Sequence, residues 1–485
     1  LPEEKPSIEI HGFANTLYTA TYTYTYAGRS FDFKKSISTG DYTQAEGLAE
    51  LQLHEGSNNI VLDKYGNVLE INMEASRAGI LFEYVDSRPA LAAFKKLRKL
   101  NLNGSSIRNI PKLFGDAYQD LEVLTMVNTV HSNYVPDSFG KLTKLKVFSI
   151  SPMYEGLENS EMMLPSSFGN LKSLESINVE YLGYVNFNGT LGQLTALKEM
   201  QAPVEVLPND VGKLKLLKKL ILRSKSPFFP QEIYGCKSLE VLNMTYNFNL
   251  NSDVVLASRI GELKNLHTIF LRTNNLRQLP ASITALPALR MLTIEGAGLE
   301  VLPENIGSLK TLEHLYLDGS FTSIPESLGS LSRLKTLNLY GRQTGLPESF
   351  GRLSALTFLS MERTPLKYLP QSIGQLKNLQ ELNLHQTEIE SLPDSFSNLD
   401  ELDILNLSST KLKGFPKAII PLKSIRIIRG NNTNMGDITD EITKMKSGVH
   451  FELLFLTNLT LEHMGHIARI STGKVYNTSF GYFMT

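Results

Sequence analysis

Leucine recurs in a fixed frame from position 266 to position 425. Segments of 22 or 23 residues open at Leu266, Leu289, Leu312, Leu334, Leu356, Leu379 and Leu402, each reading roughly LxxLxLxxTxLxxLPxxIGxLxx. The run Leu379-Gln-Glu-Leu382-Asn-Leu384-His-Gln-Thr387-Glu-Ile389-Glu-Ser-Leu392-Pro393 shows the frame plainly. Apolar residues alternating with polar ones predict a short strand, with positions 3, 5 and 7 turned away from the leucine side. Leu-Pro follows at Leu279-Pro280, Leu302-Pro303, Leu346-Pro347, Leu369-Pro370 and Leu392-Pro393. Proline fixes φ and suits a first helical turn, so the chain is expected to swing there onto an outer face. Ser-Ile-Gly-x-Leu-x-x-Leu then spaces its apolar residues as a short outer helix or 3-10 turn does. One segment alone has nothing to bury its leucines against, whereas stacked segments share a core. Burying a leucine is worth about 1.5–3 kcal/mol, which outweighs chain entropy only when neighbours are present.

Self-similarity at this period and spacing is the signature of a leucine-rich repeat. The frame continues upstream less regularly, with repeats opening at Leu97, Leu121, Leu145, Leu174, Leu197, Leu217 and Leu239. Residues 153–163 and 246–258 are insertions, read by default as drift and otherwise as the frame of a site. The repeat from Leu174 lacks the Leu-Pro step and carries Tyr181, Tyr184 and Phe187. The ninth position holds Asn247 and Asn274, then Thr364, Thr387, Thr410 and Thr433. A hydroxyl has one donor and a shorter reach than an amide, so a looser polar ladder is expected in the C-terminal half.

Both ends depart from the frame. Thr21-Tyr-Thr-Tyr-Thr-Tyr26 alternates as a strand does, Ala27-Gly28-Arg29-Ser30 is a turn, and residues 31–37 return as a second strand. This hairpin packs on the array's first edge or joins Ile8-Glu-Ile10 in a small β module. Residues 60–73 form a hairpin around Tyr65-Gly66-Asn67, with Val68 to Met73 as the first repeat strand. At the far end, Ile425 to Ile428 and His450 to Leu456 read as strands, and Asp437 to Met445 as a short helix. The predicted class is α/β: a leucine-rich-repeat solenoid whose curved parallel sheet carries short helices or 3-10 turns outside, with a β-rich N-terminal appendage. Its expected divisions are a β-rich module or hairpin (1–45), an N-terminal cap with an irregular first repeat (46–96), the solenoid (97–429) and a C-terminal cap (430–485).

The outer Leu-Pro-x-x-Ile-Gly-x-Leu-x-x-Leu pattern resembles that of plant intracellular Ras-group-related proteins and of secreted bacterial leucine-rich-repeat proteins. Residues 60–73 are similar to the V-x-x-D-x-x-G-x-V-x-x-L-x-L opening of such proteins, without its cysteine. The resemblance implies a non-enzymatic, protein-binding scaffold, secreted or surface-anchored in a bacterium, or alternatively an intracellular signalling scaffold in the cytoplasm. Relatives that carry catalysis place it in an appended domain.

Composition narrows the field further. The 48 basic and 49 acidic residues nearly cancel, so no global field favours nucleic acid or an anionic membrane. Cys236 is the sole cysteine, which excludes a disulfide framework and a multi-cysteine zinc site. No run of 18 apolar residues is present, so no membrane span is expected. Leu1-Pro2-Glu-Glu-Lys-Pro6 resembles the linker left when a signal or lipoprotein leader is removed, and an upstream lipid anchor fits that start; a truncated product looks identical.

Candidate chemistry sits in the columns that vary. Positions 3, 5 and 7 bring Phe270, Arg272, Met291, Glu295, His314, Tyr316, Asp318, Tyr340, Phe358, Glu362, Glu381 and His385 onto the open face. Aromatics, methionine and paired charges are what protein interfaces enrich, so a protein partner is expected on this patch. Earlier repeats show mainly Val123, Thr125, Val127, Val147, Ser149 and Ser151 there. The N-terminal tyrosines are an alternative platform for a glycan. Glu295, Asp318, Glu362, His314 and His385 include acid–base and metal-ligand types, but an open sheet excludes no water, so binding or structural charge is the stronger reading. Glu462, His463 and His466 have helical ligand spacing without a third-ligand motif. No phosphate-binding glycine motif and no cofactor signature occurs.

Overall fold

The computed structural model describes residues 7–11, 17–26, 29–38, 44, 47–48, 51, 60–74, 89–105, 107, 109–129, 134–152, 161–179, 183–226, 229–246, 255–273, 276–434, 440–453, 461–471, 475–477 and 482–484, with backbone pairing alone before residue 39. The N-terminal tyrosine side chains, Asn247, Asn274, Tyr181, the side chain of His463 and most of both insertions lie outside them. The chain divides into two compact units. One comprises Leu1–Ser226 and Glu232–Leu239, the other Pro227–Gln231 and Glu240–Thr485.

The first unit opens with β1 (Ser7–His11), β2 (Leu17–Tyr26) and β3 (Arg29–Ser38), an antiparallel sheet with β2 in the middle. Strand β1 therefore joins the hairpin as its third member. Next, β4 (Ile60–Leu62) turns back antiparallel onto β5 (Val68–Asn72). The turn is held by Asp63, whose Oδ1 accepts from the backbone N–H of Tyr65 and of Asn67, and by Gly66 at φ 78°. From β5 the pairing is parallel through β6 (Lys99–Asn101), β7 (Val123–Thr129) and β8 (Val147–Pro152). Strand β9 (Glu161–Met163) belongs to a side ladder with β11 (Tyr184–Asn186), while β10 (Ser176–Val179), β12 (Glu199–Val204) and β13 (Lys219–Ser224) continue the main sheet. Phe114, Phe139 and Phe168 fill the column that holds isoleucine later, and their rings stack at 6.4 and 6.0 Å. Phe187 is buried and belongs to the core.

The second unit carries β14 (Val241–Tyr246), β15 (Thr268–Arg272), β16 (Met291–Leu299), β17 (His314–Gly319), β18 (Thr336–Tyr340), β19 (Phe358–Ser360), β20 (Glu381–Asn383), β21 (Ile404–Asn406), β22 (Ile427–Arg429) and β23 (His450–Glu452), each parallel to the next. The register pairs like positions, Leu315 with Leu337, Leu359 with Leu382, so every leucine column is continuous through the core. The returning segments are 3-10 throughout these repeats, as at Gln371–Gln375. Past β23 the chain forms a helix, Leu461–Ile470, and a small hairpin of β24 (Val475–Asn477) and β25 (Tyr482–Met484). Of the residues expected to be helical at 437–445, the 3-10 turn Asp440–Lys444 is described.

Successive returning segments approach closely enough that most repeats hold glycine after their buried Ile, Leu or Phe, although Thr284 and Ser397, for example, fill the slot in others. A Cβ on Gly374 would lie 2.1 Å from the carbonyl oxygen of Ser395, and on Gly329 2.1 Å from that of Ser349. Lysines complete the outer edge by donating to the carbonyls of the following segment, Lys310 to Ser330 at 2.9 Å and Lys264 to Ala285 at 3.0 Å.

The expected threonine ladder between neighbours does not form. Thr364, Thr387, Thr410 and Thr433 are buried, and each hydroxyl donates to the carbonyl three residues earlier in its own repeat, at 2.7–2.8 Å. The preceding residues, Arg363, Gln386, Ser409 and Asn432, have φ of 55–60°. That left-handed step reverses the chain and points its N–H at the next repeat, as Arg363 does toward His385 at 2.8 Å. Backbone N–H groups, and not the threonine hydroxyls, join these loops from one repeat to the next.

At position 2 of the repeat, charges alternate in sign along the sheet. Arg290, Glu313 and Lys335 form one run and Asp403 with Arg426 another. The Arg426 guanidinium holds the Asp403 carboxyl below its ordinary 3.8, through hydrogen bonding first and charge second. A lowered carboxylate stabilises the fold above its unfolded pKa and loses that contribution as pH falls through the folded value. Thermal melts should place Asp403→Asn below the wild type at neutral pH, with the gap closing as the pH is taken under 3.8. Leu382, fully buried in the fourth-position column, tests the core. Replacing it with alanine should cost about 2–5 kcal/mol in chemical denaturation, as a cavity no neighbour can fill.

Candidate functional site

Because positions 4 and 6 are committed to the core, positions 3, 5 and 7 of the second unit face outward, and all twelve candidate residues on them are partly or well exposed. The register sorts them into rows. Met291, His314, Phe358 and Glu381 fall in the third-position row, with Met291 beside His314 and Phe358 beside Glu381. Phe270 and Tyr316 share the fifth-position row, with Thr293 between them. Arg272 and Glu295 pair in the seventh-position row, joined at 2.6 Å, and Arg272 also lies over the Phe270 ring.

Four candidates converge on one groove of about 710 Å³: Tyr316, Asp318, Tyr340 and Glu362, with Gly319, Gly341, Arg342, Arg363 and Pro365 completing its lining. Tyr316 and Tyr340 form its aromatic wall, their ring centroids 5.2 Å apart and tilted by 48°. Three successive repeats have glycine at position 8, Gly296, Gly319 and Gly341, and at the last two the backbone packs too closely on buried neighbours for a side chain. A Cβ on Gly319 would meet the Leu299 carbonyl at 2.5 Å, and one on Gly341 would meet the Phe321 ring at 2.4 Å. Later repeats carry Arg363, Gln386 and Ser409 in that slot. His385 stands apart, its Nδ1 3.1 Å from the Ser408 carbonyl oxygen.

Burial shapes the electrostatics of the groove. It pushes the Tyr316 phenol up to about 12, with Tyr340, Asp318 and Glu295 adding to the effect, so the phenol remains an O–H donor at neutral pH. It raises Asp318 as well; the N–H of Gly296, 3.1 Å from Oδ2, opposes that rise and Glu295 adds to it. Gly296 reaches this position through a left-handed φ of 64° at the irregularity in β16. Glu362 is satisfied locally, by Asn383 Nδ2 at 3.1 Å and Arg363 Nε at 3.3 Å. Arg363 also donates to Gln386 at 3.0 Å.

Beneath the floor lies a residue that pattern reading passed over. Gln343 is fully buried in the core column that holds Phe321, Leu366 and Ile389 in adjoining repeats, and neither amide atom has a hydrogen-bond partner among the described residues. Its Oε1 lies where a side chain on Gly341 would begin. Pattern reading also missed Arg342 and Arg363, which lie at positions 9 and 8, beyond the third, fifth and seventh positions. The readable signal was the pair of glycines, Gly319 and Gly341, one repeat apart.

A second surface feature escaped notice, the residue just before the Leu-Pro step. It is large, apolar and exposed at Tyr134, Met163 and Val206 in the first unit, and at Val301 and Tyr368 in the second. Tyr134 bridges Met163 in parallel, as Gln278 does Val301, so the extended backbone there favours strand formers. At the C-terminal helix His466 is buried, and no metal-holding cluster occurs among the described residues. No described helix is long and apolar enough to cross a membrane.

The repeat frame has its counterpart among known proteins. The family model of the leucine-rich repeat region matches residues 227–348 and 346–464. This is a leucine-rich-repeat protein. A leucine-rich-repeat protein of Leptospira interrogans superposes with a TM-score of 0.61 at 25% identity, covering 79% of this chain and 90% of that one. The plant peptide hormone receptor RGFR1, in complex with RGF2, shares the fold at a TM-score of 0.55 and 20% identity, over 83% of this chain and 71% of that one. The TMV resistance protein N of Nicotiana glutinosa is 36% identical over 290 residues, 56% of this chain and 24% of its own length. The chain thus spans about a quarter of that relative.

The leucine-rich-repeat frame makes the Gln343 column a direct test of packing. Replacing Gln343 with leucine should raise stability by about 1–3 kcal/mol in chemical denaturation, since an unpartnered buried amide is exchanged for the side chain its neighbours carry. A destabilised variant would mean that the amide is satisfied in solution.

Proposed function

We propose that this leucine-rich-repeat protein is a non-enzymatic recognition protein that holds a protein partner on the open sheet face of its second unit. The observation that carries this reading is the Tyr316–Tyr340 pair at 5.2 Å beside a groove of about 710 Å³. Rigid aromatics present much contact area for little conformational entropy, which is why they dominate binding hot spots. Met291, Phe358 and the Arg272–Glu295 pair extend the same face, giving an aromatic centre with a charged margin. The face is an open sheet surface that does not exclude water, which favours binding over turnover.

The setting inferred is a bacterial cell surface or the space outside the cell. Support for the bacterial part comes from the Leptospira protein, 90% of which the chain covers. The alternative of a glycan at the N-terminal tyrosines falls on side chains outside the described residues. Fractionation of a cell expressing the full gene tests the setting, since a strictly cytosolic distribution sinks it.

Tyr316→Ala and Phe358→Ala should each weaken capture of the cognate partner by about tenfold or more while leaving the melting temperature within a few degrees of wild type. Titration of the purified partner by calorimetry checks this. Undiminished affinity in both variants would move the binding site off this face.

A further inference from the structure

Several charges on this sheet face are matched, between neighbouring repeats or within one. Arg272 pairs with Glu295, Arg363 with Glu362, and Arg429 with Glu452. The groove holds two charges that are not matched in this way. Asp318 has no cation beside it among the described residues: its carboxylate takes a single N–H, from Gly296, and its other charged neighbour is Glu295. Arg342, whose guanidinium is exposed, has no carboxylate partner among the described residues, although Glu362 lines the same groove. Glu362 is already held by Asn383 and Arg363.

Asp318 and Arg342 do not neutralise each other. Asp318 pairs in register with Tyr340, and Arg342 follows two residues later, so Tyr340 and Gly341 stand between them. One groove therefore offers an unmatched anion, an aromatic wall and an unmatched cation in that order. A half-buried carboxylate without a counter-ion is unfavourable in the free protein, and so is the amide of Gln343 beneath the floor. Two departures from local stability at one place, in repeats that otherwise obey the frame, are what a binding site leaves behind.

We infer that the groove takes an extended peptide segment of the partner that carries one basic and one acidic side chain, the basic one on Asp318 and the acidic one on Arg342, with the intervening backbone against Tyr316 and Tyr340. The inference rests on the protein-binding reading above and specifies its chemistry. A lysine or arginine stem packs on a tyrosine face while its head reaches the carboxylate. The guanidinium, planar and unoccupied, matches a carboxylate through two parallel N–H donors. With the chain's net charge at −1, attraction at long range contributes little, and selection falls to this local pair.

The test pans a random linear peptide library displayed on phage against the full chain, and in parallel against Asp318→Asn, Arg342→Gln and Tyr316→Ala, all first shown to melt like the wild type. Peptides enriched on the wild type should carry a basic and an acidic residue at a fixed separation. Their synthetic, end-blocked forms should lose about tenfold in affinity for each charge variant, with the basic residue mattering less on Asp318→Asn and the acidic one less on Arg342→Gln. Peptides that depend on Tyr316 but bind both charge variants as tightly as wild type overturn the charge pairing and leave the face as the binding site. Peptides indifferent to all three variants, or no enrichment, overturn the pairing and the protein-binding reading of this groove together. Selective retention of the wild type over Tyr316→Ala on a glycan array, with no peptide enriched, would assign the groove to a sugar instead.

Discussion

A repeat with leucines at positions 1, 4 and 6 can bury them only against another repeat, and neighbours must then meet closely at two places. Inside, adjacent strands stand at sheet spacing, which aligns each leucine with its counterpart. Outside, the returning segments come so near that a single Cβ on Gly329, Gly351 or Gly374 would strike the next serine carbonyl. The 3-10 form of those segments follows, since proline starts the turn and the short return leaves room for little more than one. Almost everything regular in the chain serves one of these two contacts.

What lies beyond the contacts is stitched electrostatically. Lysines reach the carbonyls of the next returning segment, and position-2 charges alternate so that each finds an opposite partner one repeat away. These pairs are exposed and individually weak, so they favour correct register more than they add stability. The groove brings an unmatched carboxylate and an unmatched guanidinium together beside two tyrosines. The groove lies where two neighbouring repeats hold glycine at the position where the strand ends, packed against the buried Leu299 and Phe321.

Much of the fold was legible in the residues. The spacing of Leu379, Leu382 and Leu384 announces a strand, and Leu392-Pro393 announces the turn, because both signals are local and repeat. The N-terminal hairpin was legible from alternation, whereas its third strand was one of two open alternatives. Less legible was the role of the threonines. Thr387 reads as a weaker asparagine only if the polar ladder is assumed to run between side chains. The left-handed backbone at Gln386 turns the N–H instead toward Ser408 and leaves the hydroxyl to its own repeat. The candidate site was half legible. Alternation correctly turned Tyr316, Asp318, Tyr340 and Glu362 outward, but it listed them among eight others that do not line the groove, and it omitted Arg342, Arg363 and Gln343.

The sequence by itself determined the repeat, its parallel stacking and the division into buried and open columns, because period and burial are properties of residues taken a few at a time. The tertiary structure decided which open residues meet. Register placed Asp318 beside Tyr340, the irregularity in β16 brought the Gly296 N–H to Asp318, and the glycines at 319 and 341 let the backbone pack on Leu299 and Phe321 beside them. Each of these depends on residues about twenty positions apart, and on a backbone path that no single repeat specifies. The leucine frame that first marks this chain therefore fixes where a partner can touch, and three departures from it, at Gly319, Gly341 and Gln343, shape the place where we propose it does.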